Sequence, residues 1–260
     1  MRKYAIIGHP VLQSKSPIIH PMIAEFEGRK LDYDLLDVKN PLDLKHLMHL
    51  LRINTFHGYN VTIPYKEIVM SYLDELSPKA REIGAVNTVY MKDGKLYGDN
   101  TDYDGFIELF HSVPKKDNSN IIILGSGGAA KAVFLALKEM KYEPIVISRT
   151  KHHDEHFSRV MTYDELSTIK YDIIINCTPV GMFPNVEQSP LDKAFVKDKI
   201  VIDLIYKPVV TKLMSYAKQA YNGTKMLVYQ AIKAQSLWEG YPIHLSSEQI
   251  EEISEVVNRE

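Results

Sequence analysis

The chain has 260 residues, 45% hydrophobic and 25% charged, which is the composition of a globular protein with room for one or two domains. Its 31 Lys and Arg against 33 Asp and Glu leave a net charge of −2, which argues against a generic nucleic-acid binder. No apolar run reaches the roughly 18 residues of a membrane helix, the apolar run at the start is too short for a signal peptide, and a single cysteine, Cys177, excludes a disulfide framework and a Cys-based zinc site. Together these point to a cytoplasmic protein with no membrane or nucleic-acid partner.

In chain order, Tyr4–Gly8 predicts a short buried strand. A polar turn follows, and Ser16-Pro17 predicts a helix start with Ser16 as N-cap and Pro17 at the first helical position. Leu31–Asp37 predicts a second strand. Leucines at 42, 44, 47, 50 and 51 have helical spacing. His57–Val61 predicts a third strand. Ala85–Met91 and Lys95–Gly98 flank Asp93-Gly94, a hairpin signal. The first half thus reads as βαβ units plus a hairpin. The charged segment Pro114–Asn120 is the best linker candidate.

Beyond it the α/β pattern is cleaner. Ile121–Leu124 is a β-branched run, a helix reaches to about Met140, and Pro144–Ile147, Asp172–Ile175 and Ile200–Ile202 are further strands. Such alternation predicts a mostly parallel sheet covered on both faces. From Tyr229 on, the chain reads as two helices without a strand, the last starting at Ser246-Ser247-Glu248. Periodicity leaves open whether they close the second domain or return to the first.

Gly125-Ser126-Gly127-Gly128-Ala129-Ala130 matches G-x-G-x-x-G/A between a buried strand and a helix. Gly125 suits the tight turn. Gly127 lets the backbone approach a pyrophosphate, and small Ala130 lets the helix pack on the strand. The helix N-terminus offers free N–H groups to the anion. An NAD enzyme usually carries Asp or Glu after the next strand. Here that strand ends in Ser148-Arg149-Thr150-Lys151, with no carboxylate before Asp154. A guanidinium and an ammonium suit a phosphate, so the pattern favours NADP.

Four first-half turns carry more polar side chains than a turn needs: Ser14–Ser16, Asn60–Lys66, Gly84–Thr88 and Gly98–Gly105. Several fall at C-terminal ends of predicted strands, where open α/β sheets bind ligands. Hydroxyl and amide groups suit a polyhydroxylated ligand. Singly, each also reads as a turn or cap; Asp102 would N-cap a helix beginning near Tyr103.

These segments resemble, in order, motifs of the shikimate dehydrogenase family. Asn60–Lys66 resembles N-V-T-x-P-x-K, Gly84–Thr88 matches G-A-V-N-T, and Gly98–Gly105 resembles G-x-N-T-D-x-x-G. Asn176–Met182 resembles N-x-T-x-x-G-M, while Asp203–Tyr206 and Met226–Gln230 match later family segments. The resemblance implies an N-terminal α/β substrate domain, residues 1–101 completed by helices from about 229 to 260. It implies a Rossmann-type NADP domain over 102–228, with a cleft between the two. It implies Lys66 and Asp102 as the catalytic pair, and Ser14, Ser16, Thr62, Asn87, Tyr206 and Gln230 around shikimate. The turn from Gly125 to Ala130 with Ser148, Arg149 and Thr150 would hold the phosphates. Thr178 joins the cofactor set, with Met182, Ile205 and Met226 near the nicotinamide. Ser148 stands where the family often has Asn, His153 where a basic residue is common, and Lys225 where glycine is usual.

The implied reaction is reversible NADP-dependent reduction of 3-dehydroshikimate to shikimate. Lys66 as ammonium would supply the proton to the developing alkoxide and Asp102 would hold it. A quinate/shikimate dehydrogenase using NAD, a ligand sensor without turnover and a reductase of another substrate are the alternatives. Arg149, the Lys66–Asp102 pair and the first-half motifs weigh against them in turn. His152, His153 and His156 lie in a charged run and read as a solvated face, so no metal is expected. His46 and His49 read as the polar side of a helix, and Cys177 as a packing residue. Monomer and homodimer both stay open.

Overall fold

The computed structural model describes residues 1–151 and 154–259. The chain forms two units. One is Met1–Gly105 with the chain from Val228 on; the other is Phe106–Leu227.

The first unit opens with β1 (Arg2–Gly8), α1 (Ser16–Phe26), β2 (Leu31–Asp37), α2 (Asp43–Arg52) and β3 (Gly58–Val61). It continues through β4 (Glu75–Leu76), α3 (Pro78–Ile83), β5 (Thr88–Lys92), β6 (Lys95–Asp99) and the start of α4 (Asp102–Ser112). The sheet order is β2-β1-β3-β5-β6-β4. β1 pairs parallel with β2 and β3, and β5 antiparallel with β3 and β6. The chain reverses direction across the sheet between β1 and β3, the place where open α/β sheets present a ligand crevice. The loops after these two strands carry Ser14, Ser16, Thr62 and Lys66.

Alternation along the strands builds two cores. Ala5 and Ile7 face Leu44, Leu47, Met48 and Leu51 of α2, so the leucine spacing seals one side of the sheet. Tyr4 points the other way, among Ala24, Leu31, Tyr90 and Trp238.

The second unit has β7 (Ile121–Leu124), α5 (Gly128–Glu139), β8 (Ile145–Ser148), β9 (Val160–Thr162) and β10 (Ile173–Asn176). Then come α6 (Lys193–Val196), β11 (Ile200–Asp203), α7 (Lys212–Ser215), β12 (Gln219–Asn222) and the start of α8 (Thr224–Glu239). α9 (Ser247–Arg259) closes the chain. Its sheet is all parallel, β12-β11-β10-β7-β8-β9. That is the doubly wound dinucleotide-binding order, with the switch point between β7 and β10.

The C-terminal helices return to the first unit. Trp238 of α8 stacks on Tyr4 at 4.5 Å, and Glu239 accepts from Arg29 at 3.0 Å. Among the described residues no helix is long and apolar enough to cross a membrane.

Several local expectations are corrected. Ser16 is the first residue of α1, not its N-cap; Lys15 holds that position, and Ser16 turns its hydroxyl to Ser14. Ala85–Asn87 lie outside β5, because Asn87 is drawn into side-chain bonds at the strand's start. Residues 114–120 link α4 to β7 inside the second unit rather than joining the units; Lys115 caps the carbonyls of Phe110 and Val113, and Asn120 donates to Asp172. The edge strands β4, β9 and β12 are too short or too polar to show in the apolar pattern. Lys225 sits within the first turn of α8 and not at a positive φ. The close approach falls instead at Gly223, where a Cβ would stand 2.1 Å from the Leu204 carbonyl oxygen.

Candidate active site

In the first unit the backbone sets Lys66 through its neighbours. Tyr65 is buried and donates its hydroxyl to the Val38 carbonyl at 2.6 Å, while the Val86 N–H holds the Lys66 carbonyl at 2.8 Å. Asp102 begins α4. Its N–H donates to Asn100 Oδ1, and buried Asn100 is fixed in turn on the Ala85 carbonyl. Lys66 Nζ reaches Asp102 Oδ2 at 2.5 Å. The lysine side chain is 16% exposed and the aspartate 12%, so the pair is sheltered yet reachable from solvent.

The other carboxylate oxygen, Oδ1, accepts from Asn87 Nδ2 at 2.9 Å. Asp102 therefore spends both oxygens on this network and not on capping α4, which corrects the capping alternative. Asn87 has no freedom to flip. Its Oδ1 accepts from the Thr101 N–H at 2.7 Å, and a backbone N–H can only donate. The hydroxyls of Thr88 and Thr101 reach the same oxygen at 3.0 and 3.1 Å. Thr101 also reaches Gln230 Oε1 at 3.4 Å, which brings α8 to the cluster.

The structure thus joins Lys66, Asp102, Asn87 and Gln230. Ser14 and Ser16 form a separate hydroxyl pair at 3.1 Å. Their loop is pinned by Asp37, whose carboxylate takes His9 Nδ1 at 2.9 Å and the Val11 N–H at 3.3 Å. The His9 hydrogen bond holds the Asp37 carboxyl below its ordinary range. The Thr62 methyl packs against Gly8, where a Cβ would collide with it. Asn60, Thr88 and Thr101 carry roles in this cluster that the sequence reading did not assign. Their signal lay in the quoted motifs, as small polar residues ending buried strands.

In the second unit Gly125 has φ +98°, and a Cβ there would lie 3.0 Å from Thr178 Cγ2. The turn and the loop after β10 are therefore in contact at the switch point. Gly127 precedes α5 without a side-chain cap, and a Cβ there would meet nothing within 4 Å. Packing within the chain does not require this glycine; an anion laid on the helix N-terminus does. Ala130 is fully buried. Ser126 and Ser148 bring their hydroxyls to 3.5 Å, and Arg149 and Thr150 are exposed beyond β8 with no carboxylate beside them in the chain. A polyanionic nucleotide fits this surface.

Asp203 organises the neighbouring loops. It accepts from Asn176 Nδ2 at 3.0 Å, the Ile205 N–H at 3.1 Å and the Thr211 hydroxyl at 2.7 Å. Asn176 in turn accepts from the Thr178 N–H and hydroxyl. Burial pushes the Asp203 carboxyl up to about 6. Ile205 and Met226 are buried, Met182 is exposed, and burial raises the Tyr206 phenol. His156 pairs with Asp154 at 2.7 Å. His152 and His153 lie outside the described residues. His46 and His49 are exposed on α2.

Comparison with known proteins gives a consistent result. Residues 6–89 match the shikimate dehydrogenase substrate binding domain. A shikimate dehydrogenase (NADP(+)) of Clostridium beijerinckii is 39% identical over 253 residues, covering 92% of each chain. The crystal structure of shikimate dehydrogenase 1 from Peptoclostridium difficile superimposes with a TM-score of 0.90 at 34% identity, over 99% of this chain and 98% of that one. The Thermus thermophilus shikimate 5-dehydrogenase in complex with NADP(H) and shikimate gives 0.86 at 32%, over 99% and 100%.

Proposed function

Since the chain belongs to the shikimate dehydrogenase family, whose NADP-dependent interconversion of 3-dehydroshikimate and shikimate it performs, we propose that Lys66 and Asp102 are its catalytic pair. The observation that carries the assignment is the Lys66–Asp102 contact with Asn87 locked behind it. NADPH supplies the hydride. As the substrate carbonyl becomes an alkoxide, the Lys66 ammonium donates the proton and stabilises the charge. Asp102 keeps the ammonium aimed, and Asn87 keeps Asp102 from turning away. In the oxidative direction Lys66 takes the proton back.

The first unit is the substrate half in this reading. Ser14, Ser16, Thr62, Asn87 and Gln230 offer hydroxyl and amide groups to the hydroxyls and carboxylate of shikimate. Tyr206 is assigned to the substrate by the family resemblance. The second unit is the cofactor half. The turn from Gly125 to Ala130 takes the pyrophosphate on free N–H groups, and Ser148, Arg149 and Thr150 take the 2′-phosphate. Thr178, Met182, Ile205 and Met226 serve the nicotinamide end. The single cysteine supports a cytoplasmic setting, and we place the working form as a monomer or homodimer.

The test is an assay of shikimate-dependent reduction of NADP and of NAD side by side, with quinate as second substrate. Fast turnover with shikimate and NADP and little with NAD is expected. Equal rates with NAD would remove the role given to Arg149. Absence of turnover in protein that still binds NADP would overturn the catalytic reading.

A further inference from the structure

Behind the substrate cluster lies an aromatic group, buried at His20 and Trp238 and half-buried at Tyr33, that the proposed chemistry does not use. Tyr33 of β2 stacks on His20 of α1 with ring centroids 4.4 Å apart and an interplanar angle of 6°. His20 in turn leans on Trp238 of α8 at 5.0 Å. His20 is fully buried, and burial pushes its pKa down to about 3, so the ring is neutral at any working pH. Gln235 fixes it by donating to the His20 carbonyl at 2.8 Å and to Nδ1 at 3.3 Å. Tyr33 thus rests against a rigid, uncharged surface.

The hydroxyl of Tyr33 leaves this stack toward the cluster. It donates to Asn60 Oδ1 at 2.6 Å. His20 Nε2 makes no hydrogen bond. Tyr33 is therefore the donor that decides which way the Asn60 amide faces. With Oδ1 taken, Nδ2 is left for the Thr88 hydroxyl and the Asn87 carbonyl, both at 3.4 Å.

The donors now run in one direction. Tyr33 gives to Asn60, and Asn60 to Thr88. Thr88 gives to Asn87, and Asn87 gives to the Asp102 carboxylate. A chain of aligned donors ending on an anion polarises each member and holds it in place. Tyr33 heads this chain through its bond to Asn60. Reversal at this one bond would leave Asn60 presenting its oxygen to the Thr88 and Asn87 acceptors.

We propose that Tyr33 is a positioning residue for substrate recognition, acting by fixing the amide orientation of Asn60. The proposal rests on the reading of the first unit as the substrate half. Its test is a double-mutant cycle on the full chain with Tyr33→Phe and Asn60→Ala, measured as shikimate KM, NADP KM and kcat. Phenylalanine keeps the stack on His20 and removes only the hydroxyl. Tyr33→Phe is expected to raise the shikimate KM about tenfold, the loss of roughly one hydrogen bond. The NADP KM stays unchanged, which also reports an intact fold. Asn60→Ala raises the shikimate KM at least as much, and the double variant is no worse than Asn60→Ala alone.

Additive losses would overturn the proposal, because Tyr33 would then act independently of Asn60. So would an unchanged shikimate KM in either single variant, or equal rises in the KM of both ligands. None of these results touches the Lys66–Asp102 assignment, which stands or falls on kcat in Lys66→Ala.

Discussion

The two units treat the residues assigned to their ligands in opposite ways. In the first, polar side chains are bonded to one another and their residues are buried: Asn60, Asn87, Thr88, Thr101 and Asp102, each taken as a whole residue, are all less than a tenth exposed. In the second, the turn from Gly125 to Gly127 and the Arg149–Thr150 pair stand at the surface, and Gly127 faces open space. A polyhydroxylated ring demands donors and acceptors at fixed angles, so its groups are held before it arrives. A phosphate accepts from any direction, so backbone N–H groups and an exposed guanidinium suffice. Preorganisation is concentrated where the ligand is directional.

The comparison predicts where a substitution will be felt. The largest effect belongs to Lys66. Lys66→Ala should lower kcat by roughly 10²–10⁴-fold, the range of general acid–base catalysis, with a far smaller change in the shikimate KM. Steady-state kinetics decides this, and an unchanged kcat would remove the catalytic assignment. Next comes Gly127. Its backbone is extended, at φ −82° and ψ −176°, so valine fits without strain. Gly127→Val should raise the NADP KM at least about tenfold by crowding the pyrophosphate. Thermal stability and shikimate binding should hold. A fall in stability with unchanged NADP affinity would mean that the glycine serves the fold.

Arg149 gives a smaller and more selective effect. A hydrogen bond to a charged group is worth about 1.5–3 kcal/mol. Arg149→Ala should therefore raise the NADP KM by roughly 10–100-fold and leave the NAD KM unchanged. Equal changes for both cofactors would show that Arg149 does not read the 2′-phosphate.

The same contrast explains what the sequence made legible. Strands buried on both faces, such as Ile121–Leu124, are apolar runs and were readable to the residue. The hairpin at Asp93-Gly94 was readable because both residues carry positive φ. Edge strand β12, Gln219–Asn222, pairs through its backbone on one side and has no apolar signature. In the site, family motifs pointed to Lys66, Asp102 and Asn87, but spacing along the chain could not show that Thr101 and Thr88 lock Asn87. Those bonds join residues that only the folded sheet brings together. Tyr33 was invisible for the same reason: on β2 it reads as an ordinary strand aromatic, and only pairing of β1 with both β2 and β3 brings it to Asn60.

Asp203 is the exception that sharpens the comparison, because it is the second unit's own buried, fully bonded anchor. Its carboxyl is raised to about 6 against an ordinary 3.8. Between those two values the folded chain holds more protons than the unfolded chain, so stability falls as pH rises through that window. Ionised Asp203 thus costs stability near neutrality, and the geometry shows what it provides in return. Its oxygens gather Thr211, Ile205 and, through Asn176, the Thr178 turn. An asparagine offers one acceptor oxygen and must turn an NH₂ group onto one of these donors. Asp203→Asn should therefore flatten the fall in stability between pH about 4 and 6, followed by urea unfolding. It should also raise the NADP KM several-fold as the Thr178 turn loosens, with the shikimate KM unchanged. An unaltered pH slope would show that Asp203 titrates as an ordinary carboxyl. An unaltered NADP KM would show that the backbone alone holds these loops, and the cofactor half would then need no side-chain anchor at all.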